Sequence, residues 1–195
     1  MIDIIEQTYA WNGNLTQRTL PTDYIILHHA AAVECTAQTI HGWHIAQGWV
    51  GIGYHYFVAK TGAIYRGRPY TTIGAHTEGY NDKSVGICAE GNFMVESMPD
   101  AQRLAIIALC KELLEMYPKA KIVGHRDCNP TACPGTNYPL ADIQRGALAL
   151  EPQPSTWARD AWAKGTAKGV IDGTRPQDPT TREELVVILA RLGLL

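Results

Sequence analysis

A histidine and a cysteine stand eight positions apart in the segment IVGHRDCNPTACPG, residues 122–135. His125 follows a short β-branched run that predicts a strand, and Cys133 lies in a loop rich in Asn, Pro, Thr and Gly. Imidazole and thiolate are ligands of zinc, and a catalytic zinc site uses three protein ligands and keeps a fourth position for water. The segment therefore predicts two ligands and requires a third from elsewhere in the chain.

The third ligand is best supplied by one of two consecutive histidines, His28 and His29, which follow the apolar run YIIL. Successive strand residues point to opposite faces of a sheet, so only one of the pair can face a given site. Cys128 is a competing thiol three residues after His125. If Cys128 were a fourth ligand, the site would be closed and structural rather than catalytic.

Length and composition are those of a globular chain with one full domain and room for a small second one. The 195 residues are 46% hydrophobic and 18% charged, which argues against the fibrous and disordered classes. The formal net charge of -2 predicts no nucleic-acid partner. Five cysteines are an odd number in a chain that can form its own core, so we expect free thiols and no disulfide framework.

The first residues do not have the pattern of a secretory signal. Asp3 and Glu6 interrupt the apolar start, and a basic stretch followed by a long apolar run is missing. No window reaches 18 apolar residues, so we expect no transmembrane segment. The sequence therefore predicts synthesis in a cytoplasm.

Strands and helices alternate along the first 150 residues. Strands are predicted for DYIILHHA, for the two halves of a hairpin around Lys60-Thr61-Gly62, for SVGICAEGNF and for AKIVGH. One helix is predicted over TAQTIHGWHIAQG, with Thr36 as its cap and Gly48 as its stop. Another is predicted over residues 100–117, where apolar residues recur every three or four positions. This order predicts an α/β domain with helices lying on a central sheet.

The composition changes near residue 150. Two prolines in EPQP indicate a linker over residues 151–156, between a first domain at 1–150 and a C-terminal segment at 157–195. The segment is predicted to form two helices around the loop DGTRPQDP, with Gly165 or Gly169 ending the first. Thr181 and Glu184 have the spacing of a capping box for the second.

Three segments in this order carry a resemblance to a known family: YIILHHA, GIGYHYFVAKTGAIYRGRPYTTIGAHTEGYNDKSVGICAEGNF and VGHRDCNPTACPG. They resemble the N-acetylmuramoyl-L-alanine amidase type 2 family, which includes phage lysozyme-type amidases and the peptidoglycan recognition proteins. The resemblance covers roughly residues 20–145. It implies a mixed central β-sheet flanked by helices, a Zn²⁺ cofactor, and cleavage of the amide bond between N-acetylmuramic acid and L-alanine in bacterial peptidoglycan.

The resemblance also implies the metal ligands. In the family they are the first histidine after the opening strand, the histidine of the GHRD segment and the cysteine eight residues later. These positions are His28, His125 and Cys133 in this sequence.

Catalytic and substrate-binding residues are implied in the same way. The family's tyrosine falls on Tyr54, and a polar residue two positions before the cysteine, lysine or threonine in different members, falls on Thr131. We expect their hydroxyls to donate to the carbonyl oxygen on which charge develops. The segments GAHTEGYND and GNF would line the muropeptide groove, with His76, Thr77 and Asn81 as substrate-binding residues.

The C-terminal segment resembles a single S-layer homology repeat, in WARDAWAKGTAKGVIDGT followed by DPTTREELVVILARL. Those repeats bind secondary polymers of bacterial cell walls, so the resemblance implies a cell-wall polymer as a partner. A single short repeat predicts weak binding or a homodimer that pairs two tails. The alternative is a helical hairpin that only packs on the amidase domain or on a second chain.

Together these features predict a phage or prophage endolysin that stays in the host cytoplasm until a holin releases it to the cell wall. Two other classes remain open. One is a muropeptide-binding module without catalysis. The presence of Cys133 argues against this class, because loss of that thiol is the plainest way for a member of the family to lose the metal. The other is a structural zinc domain in which Cys128 is the fourth ligand.

Overall fold

The computed structural model describes residues 2–149, 155, 157–171, 180 and 182–194. The chain forms two compact units, Met1–Leu148 and Ala149–Leu195. The predicted linker apart from Ser155, the predicted loop DGTRPQDP and Thr181 of the predicted capping box lie outside the described residues.

The first unit is built on a mixed six-stranded sheet in the order β1-β4-β3-β5-β2-β6. Its strands are β1 (Ile4–Ile5), β2 (Tyr24–His29), β3 (Tyr56–Val58), β4 (Ile64–Arg66), β5 (Ser84–Ala89) and β6 (Lys121–Gly124). Strands β3 and β4 form the predicted antiparallel hairpin, and the other neighbouring strands are parallel. The sequence analysis did not predict the short strand β1.

Three helices cover the sheet: α1 (Ala37–Ala46), α2 (Asp100–Met116) and α3 (Leu140–Leu148). Thr36 caps α1 as predicted, because its hydroxyl accepts a hydrogen bond from the Thr39 N–H at 3.0 Å. Gly48 follows the helix with a φ of +81°, a backbone conformation that favours glycine. The predicted helix at 100–117 is confirmed as α2, whereas α3 was not predicted.

Strand alternation divides the core between the two faces of the sheet. On one face Ile25 and Leu27 of β2 pack in a large apolar cluster with residues of α2 and α3. On the other face Phe57 and Cys88 form a smaller cluster with α1. The fold class predicted from the sequence, a mixed sheet flanked by helices, is therefore confirmed.

The second unit contains two helices, α4 (Arg159–Ala167) and α5 (Arg182–Arg191). Of the two glycines predicted to end the first helix, Gly169 follows α4 with a φ of +66°, whereas Gly165 lies within it. The Arg191 guanidinium donates to the carbonyls of Gly169 and Val170 and so links α5 to the turn after α4. None of the helices in the described ranges is long and apolar enough to cross a bilayer.

Candidate metal centre

Parallel pairing of β2 with β6 brings two predicted ligands to the same end of the sheet. Leu27 lies opposite Gly124 in this pair, so His28 and His125 follow at the same level. Their imidazole centroids are 4.6 Å apart. His125 is the first residue of a short 3-10 turn that ends at Asp127. The Asp127 carboxylate accepts a hydrogen bond at 2.8 Å from the N–H of Gly124, the residue before the turn. The candidate site therefore lies at the carboxyl ends of the strands, where α/β folds bind their ligands.

The loop after His125 returns the chain to this position. The Arg126 N–H donates to the Cys133 carbonyl at 2.9 Å and closes the loop between them. Inside the loop, the Cys133 N–H donates to the Thr131 hydroxyl at 3.2 Å. As a result Cys133 Sγ lies 3.7 Å from Nδ1 of His28, a residue 105 positions earlier in the chain.

His28, His125 and Cys133 form what we call the three-ligand group. Each offers one ligand atom, and these atoms lie within 4.8 Å of one another. Within the described residues this is the single cluster of three or more His, Cys, Asp or Glu side chains that could hold a metal ion, and Cys128 is not part of it. Two imidazoles and one thiol fit the donor set of a catalytic zinc site, which leaves one position open.

Burial sets the protonation of these ligands. Burial and the neighbouring His125 hold the pKa of His28 well below its usual value, and burial also lowers the pKa of His125. Both imidazoles are therefore neutral at neutral pH, which is the form that binds a metal. Burial raises the pKa of the Cys133 thiol to about 11, so a metal must displace its proton on binding.

The other histidine of the pair faces away from the group, as the strand pleat predicts. His29 Nδ1 accepts a hydrogen bond from the Phe93 N–H at 3.2 Å, and the two rings are stacked at 6.2 Å. Phe93 belongs to the core cluster under α2 and α3. His28 instead contacts Tyr54, which packs against the α1 cluster.

The residues predicted to bind substrate lie behind His28. His28 Nε2 is 3.0 Å from His76 Nδ1, and the Thr77 hydroxyl is also 3.0 Å from that nitrogen. Asn81 accepts hydrogen bonds from the backbone N–H groups of His76 and Thr77 at 2.8 and 2.9 Å. All three residues contribute to the wall of the cleft at the site, although His76 and Thr77 are buried. A direct contact with substrate stays a prediction.

Tyr54 lies two residues before β3, with its ring 5.1 Å from the His28 ring. The chain reaches this position through Gly53, where a Cβ would lie 2.0 Å from the Ala75 carbonyl oxygen, so only glycine permits the approach. Burial raises the pKa of Tyr54 well above its usual value. Its hydroxyl therefore keeps its proton and can act as a hydrogen-bond donor.

Thr131 lies in the exposed loop between His125 and Cys133. Its hydroxyl oxygen accepts the Cys133 N–H, which still leaves the hydroxyl hydrogen for a second partner. The structure thus places Thr131 beside the three-ligand group and on the wall of the cleft.

One cleft borders the site, and a second cleft shares part of its wall. The main cleft has a volume of about 560 Å³, and its lining includes Trp49, His125, Asn129 and Thr131. The side cleft, of about 390 Å³, shares Trp49 and Ala75 with it and adds Arg68. The sequence analysis missed Trp49, Arg68 and Asn129, because no local pattern distinguishes them from ordinary surface residues until the fold brings them together.

Solved structures with this fold include enzymes and recognition proteins of peptidoglycan. The N-acetylmuramoyl-L-alanine amidase LysC from Clostridium intestinale is similar with a TM-score of 0.71 and 38% identity, over 73% of this chain and 95% of LysC. Drosophila PGRP-LB is similar with a TM-score of 0.66 and 29% identity, over 72% of this chain and 92% of that protein.

Sequence comparison gives the family directly. The family model described as N-acetylmuramoyl-L-alanine amidase matches residues 18–136, and this chain belongs to that family. The endolysin of Enterobacteria phage K11 is 37% identical over 120 residues, which cover 59% of this chain and 76% of the endolysin. Peptidoglycan-recognition protein SC2 of Drosophila melanogaster is 31% identical over 65% of this chain and 78% of that protein. The predicted family is confirmed, whereas the S-layer homology resemblance stays a prediction.

The three-ligand group predicts different effects for two nearby thiols. Cys133→Ser is expected to remove or greatly weaken zinc binding and to abolish wall lysis, because a serine hydroxyl keeps its proton where a thiol gives it up to the metal. Cys128→Ser is the matched control, and we expect it to keep both. Zinc content after dialysis and clearing of a cell-wall suspension measure the two properties. If Cys128→Ser lost zinc while Cys133→Ser kept it, the ligand assignment would be wrong.

Proposed function

We propose that this chain is a zinc-dependent N-acetylmuramoyl-L-alanine amidase of the endolysin type. The observation that carries the proposal is the three-ligand group, which combines a catalytic donor set with a position on a cleft. His125 belongs to both the group and the cleft wall. A closed four-ligand site would favour the structural alternative, but Cys128 is outside the group.

The chain's own residues would support amide hydrolysis as follows. Zinc, when bound by His28, His125 and Cys133, supplies Lewis acidity that acidifies water and polarises a carbonyl. The Tyr54 ring lies beside the His28 ring, and its protonated hydroxyl, which also contacts the Cys88 thiol, is the candidate donor to the carbonyl oxygen as negative charge develops there. Thr131, in the loop between His125 and Cys133, is the second candidate donor.

The clefts have features suited to a muropeptide. Trp49 is partly exposed and is shared by both clefts, which gives them a common apolar wall. Arg68 is buried at the side cleft, where its guanidinium donates to the carbonyls of Ile52 at 2.7 Å and Ile73 at 2.8 Å. Stem peptides of peptidoglycan carry carboxylates, and a guanidinium fixed in this way would attract them.

The bond that is cleaved tests the proposal directly. Purified protein with bound zinc is expected to release free amino groups of L-alanine from cell walls, and removal of the metal by a chelator should stop the release. Free amino groups and reducing sugar ends are measured on the same digest. New reducing ends without new amino groups would mean that the enzyme cleaves a glycosidic bond instead.

A second candidate function is a muropeptide-binding module without catalysis, since recognition proteins are among the relatives. The same digest separates the two functions. Binding to walls without release of either kind of end would favour the recognition module. The complete three-ligand group favours catalysis.

Tyr54→Phe tests the proposed hydroxyl donor. The variant keeps the ring, so we expect it to keep its fold and its zinc and to lose on the order of 10²-fold or more in turnover. Turnover on a soluble muropeptide, zinc content and thermal unfolding are measured together. Turnover within about threefold of the wild type would leave Tyr54 with a packing role alone, because a lost transition-state donor typically costs several kcal/mol.

We also propose that the second unit binds a cell-wall polymer and that the enzyme reaches the wall after release by a holin. The support is the S-layer homology resemblance together with the apolar side chains that the unit exposes. These side chains are Trp157, Leu185, Val186, Val187, Leu192 and Leu194. A homodimer that pairs two tails would strengthen binding by a single short repeat.

Removal of the second unit should separate two activities. A variant ending at Leu148 is expected to keep its zinc and to cleave small soluble muropeptides, but to lyse whole walls less well. Tethering to a wall raises the effective substrate concentration, with gains of roughly 10²–10⁴-fold in favourable cases, and we expect the low end here. Equal losses on soluble substrate and on walls would identify the tail as a packing element.

A further inference from the structure

A second buried imidazole lies directly behind the candidate ligand His28. Nδ1 of His28 faces the Cys133 thiol at 3.7 Å, so this nitrogen belongs to the three-ligand group. The other ring nitrogen, Nε2, lies 3.0 Å from Nδ1 of His76. The two rings meet edge to face with an interplanar angle of 84° and a centroid distance of 5.0 Å. His76 therefore contacts the side of His28 opposite to the group.

The hydrogen bonds continue from His76 to the backbone. Nε2 of His76 lies 3.4 Å from the Ser84 hydroxyl, and that hydroxyl donates to the Tyr80 carbonyl at 2.7 Å. The exposed fractions of His28, His76 and Ser84 are 1%, 8% and 0%, so bulk water does not compete for these bonds. The Thr77 hydroxyl also lies at this junction, 3.0 Å from His76 Nδ1 and 3.4 Å from His28 Nε2. The rings of His55 and Tyr54 pack against His76.

The Tyr80 carbonyl fixes the direction of the whole chain of hydrogen bonds, because it can only accept. The Ser84 hydrogen is used on that carbonyl, so the Ser84 oxygen accepts from a hydrogen on His76 Nε2. A neutral imidazole carries one ring hydrogen, so His76 Nδ1 is an acceptor and receives the Nε2 hydrogen of His28. His28 Nδ1 is then left with a free lone pair, facing the three-ligand group.

The space for His76 is provided by two glycines. A Cβ on Gly74 would lie 2.5 Å from His76 Cδ2, and a Cβ on Gly86 would lie 2.6 Å from the same atom. Gly86 stands within β5, where glycine normally weakens a strand and often indicates a close approach. Here it is the His76 ring that lies close to the strand. A side chain at either glycine position would clash with this imidazole.

We propose that His76 is a positioning residue that fixes the tautomer and the ring orientation of His28, so that Nδ1 is presented to the metal. The proposal rests on the zinc site proposed above and assigns His76 a role different from the substrate contact expected from the sequence. Hydrogen-bond partners of metal-bound histidines typically change metal affinity by about 10–100-fold when they are removed.

Three variants test this role by metal affinity. His76→Leu removes the acceptor and is expected to weaken zinc binding by about 10–100-fold. His76→Asn keeps an acceptor near the position of Nδ1 and should recover most of that loss. His41→Leu is the matched control: His41 is also buried and hydrogen-bonded, to Ala10 and Ile52, but lies outside the contacts of His28. The zinc dissociation constant is measured by competition with a chromophoric chelator, and folding by circular dichroism.

The tautomer is measured on the wild type, so the test does not depend on whether a variant folds. Nitrogen-15 spectra of labelled histidine in the zinc-loaded protein are expected to show the ring hydrogen on Nε2 of both His28 and His76. A hydrogen on Nδ1 of His28, or a folded His76→Leu with wild-type zinc affinity, would overturn the positioning role and leave the amidase proposal intact. A wild-type protein that binds no zinc would overturn the amidase proposal itself.

Discussion

The register between β2 and β6 is the constraint on which the candidate site depends. Leu27 opposite Gly124 sets the level at which His28 and His125 leave the sheet. A shift of one residue would turn His28 to the face under α2 and α3 and replace it with His29, because side chains alternate along a strand. The core on both faces opposes such a shift, since Ile25 and Leu27 would leave the large apolar cluster. Hydrophobic burial thus determines which imidazole reaches the site.

Buried neutral histidines connect the site to the rest of the sheet. His55 illustrates the pattern: its Nε2 lies 3.0 Å from the Thr72 carbonyl, and its Nδ1 accepts the Gly86 N–H at 2.9 Å. Burial lowers the pKa of His55 to about 3 and that of His44 to about 4. A buried polar group is costly unless both ends are hydrogen-bonded, and the neutral imidazole can donate at one nitrogen and accept at the other.

This arrangement also makes the stability of the fold dependent on pH. The pKa values of His44 and His55 are lower in the folded protein than the ordinary value of 6.5. The stabilisation from neutral, buried imidazoles is therefore complete above pH 6.5 and is lost as the pH falls toward the folded-state values. The His55 ring packs against His76 and the His44 ring against Tyr54, so protonation of these imidazoles would disturb residues next to the three-ligand group.

The sequence alone determined the local elements and the identity of the ligand types. The apolar periodicity predicted α2, the cap at Thr36 predicted the start of α1, and a resemblance carried by three segments indicated His28, His125 and Cys133. The two helices are confirmed and the three side chains do lie together, because periodicity, capping and motif spacing depend on residues close together in the chain. The short strand β1 was missed because two residues carry too little pattern, and the helix α3 was also not predicted.

Only the tertiary structure decided what surrounds those ligands. Residue types alone left Cys128 as a competitor of Cys133, and the loop closed by the hydrogen bond between Arg126 and Cys133 brings the Cys133 thiol to His28. His76 lies against His28 in space made by Gly74 and Gly86, a contact that could not be foreseen from the sequence. The contacts of His28 with Cys133 and His76 join residues 105 and 48 positions apart, and they depend on strand register and loop closure. Neither is a property of one segment, so no local pattern can predict them.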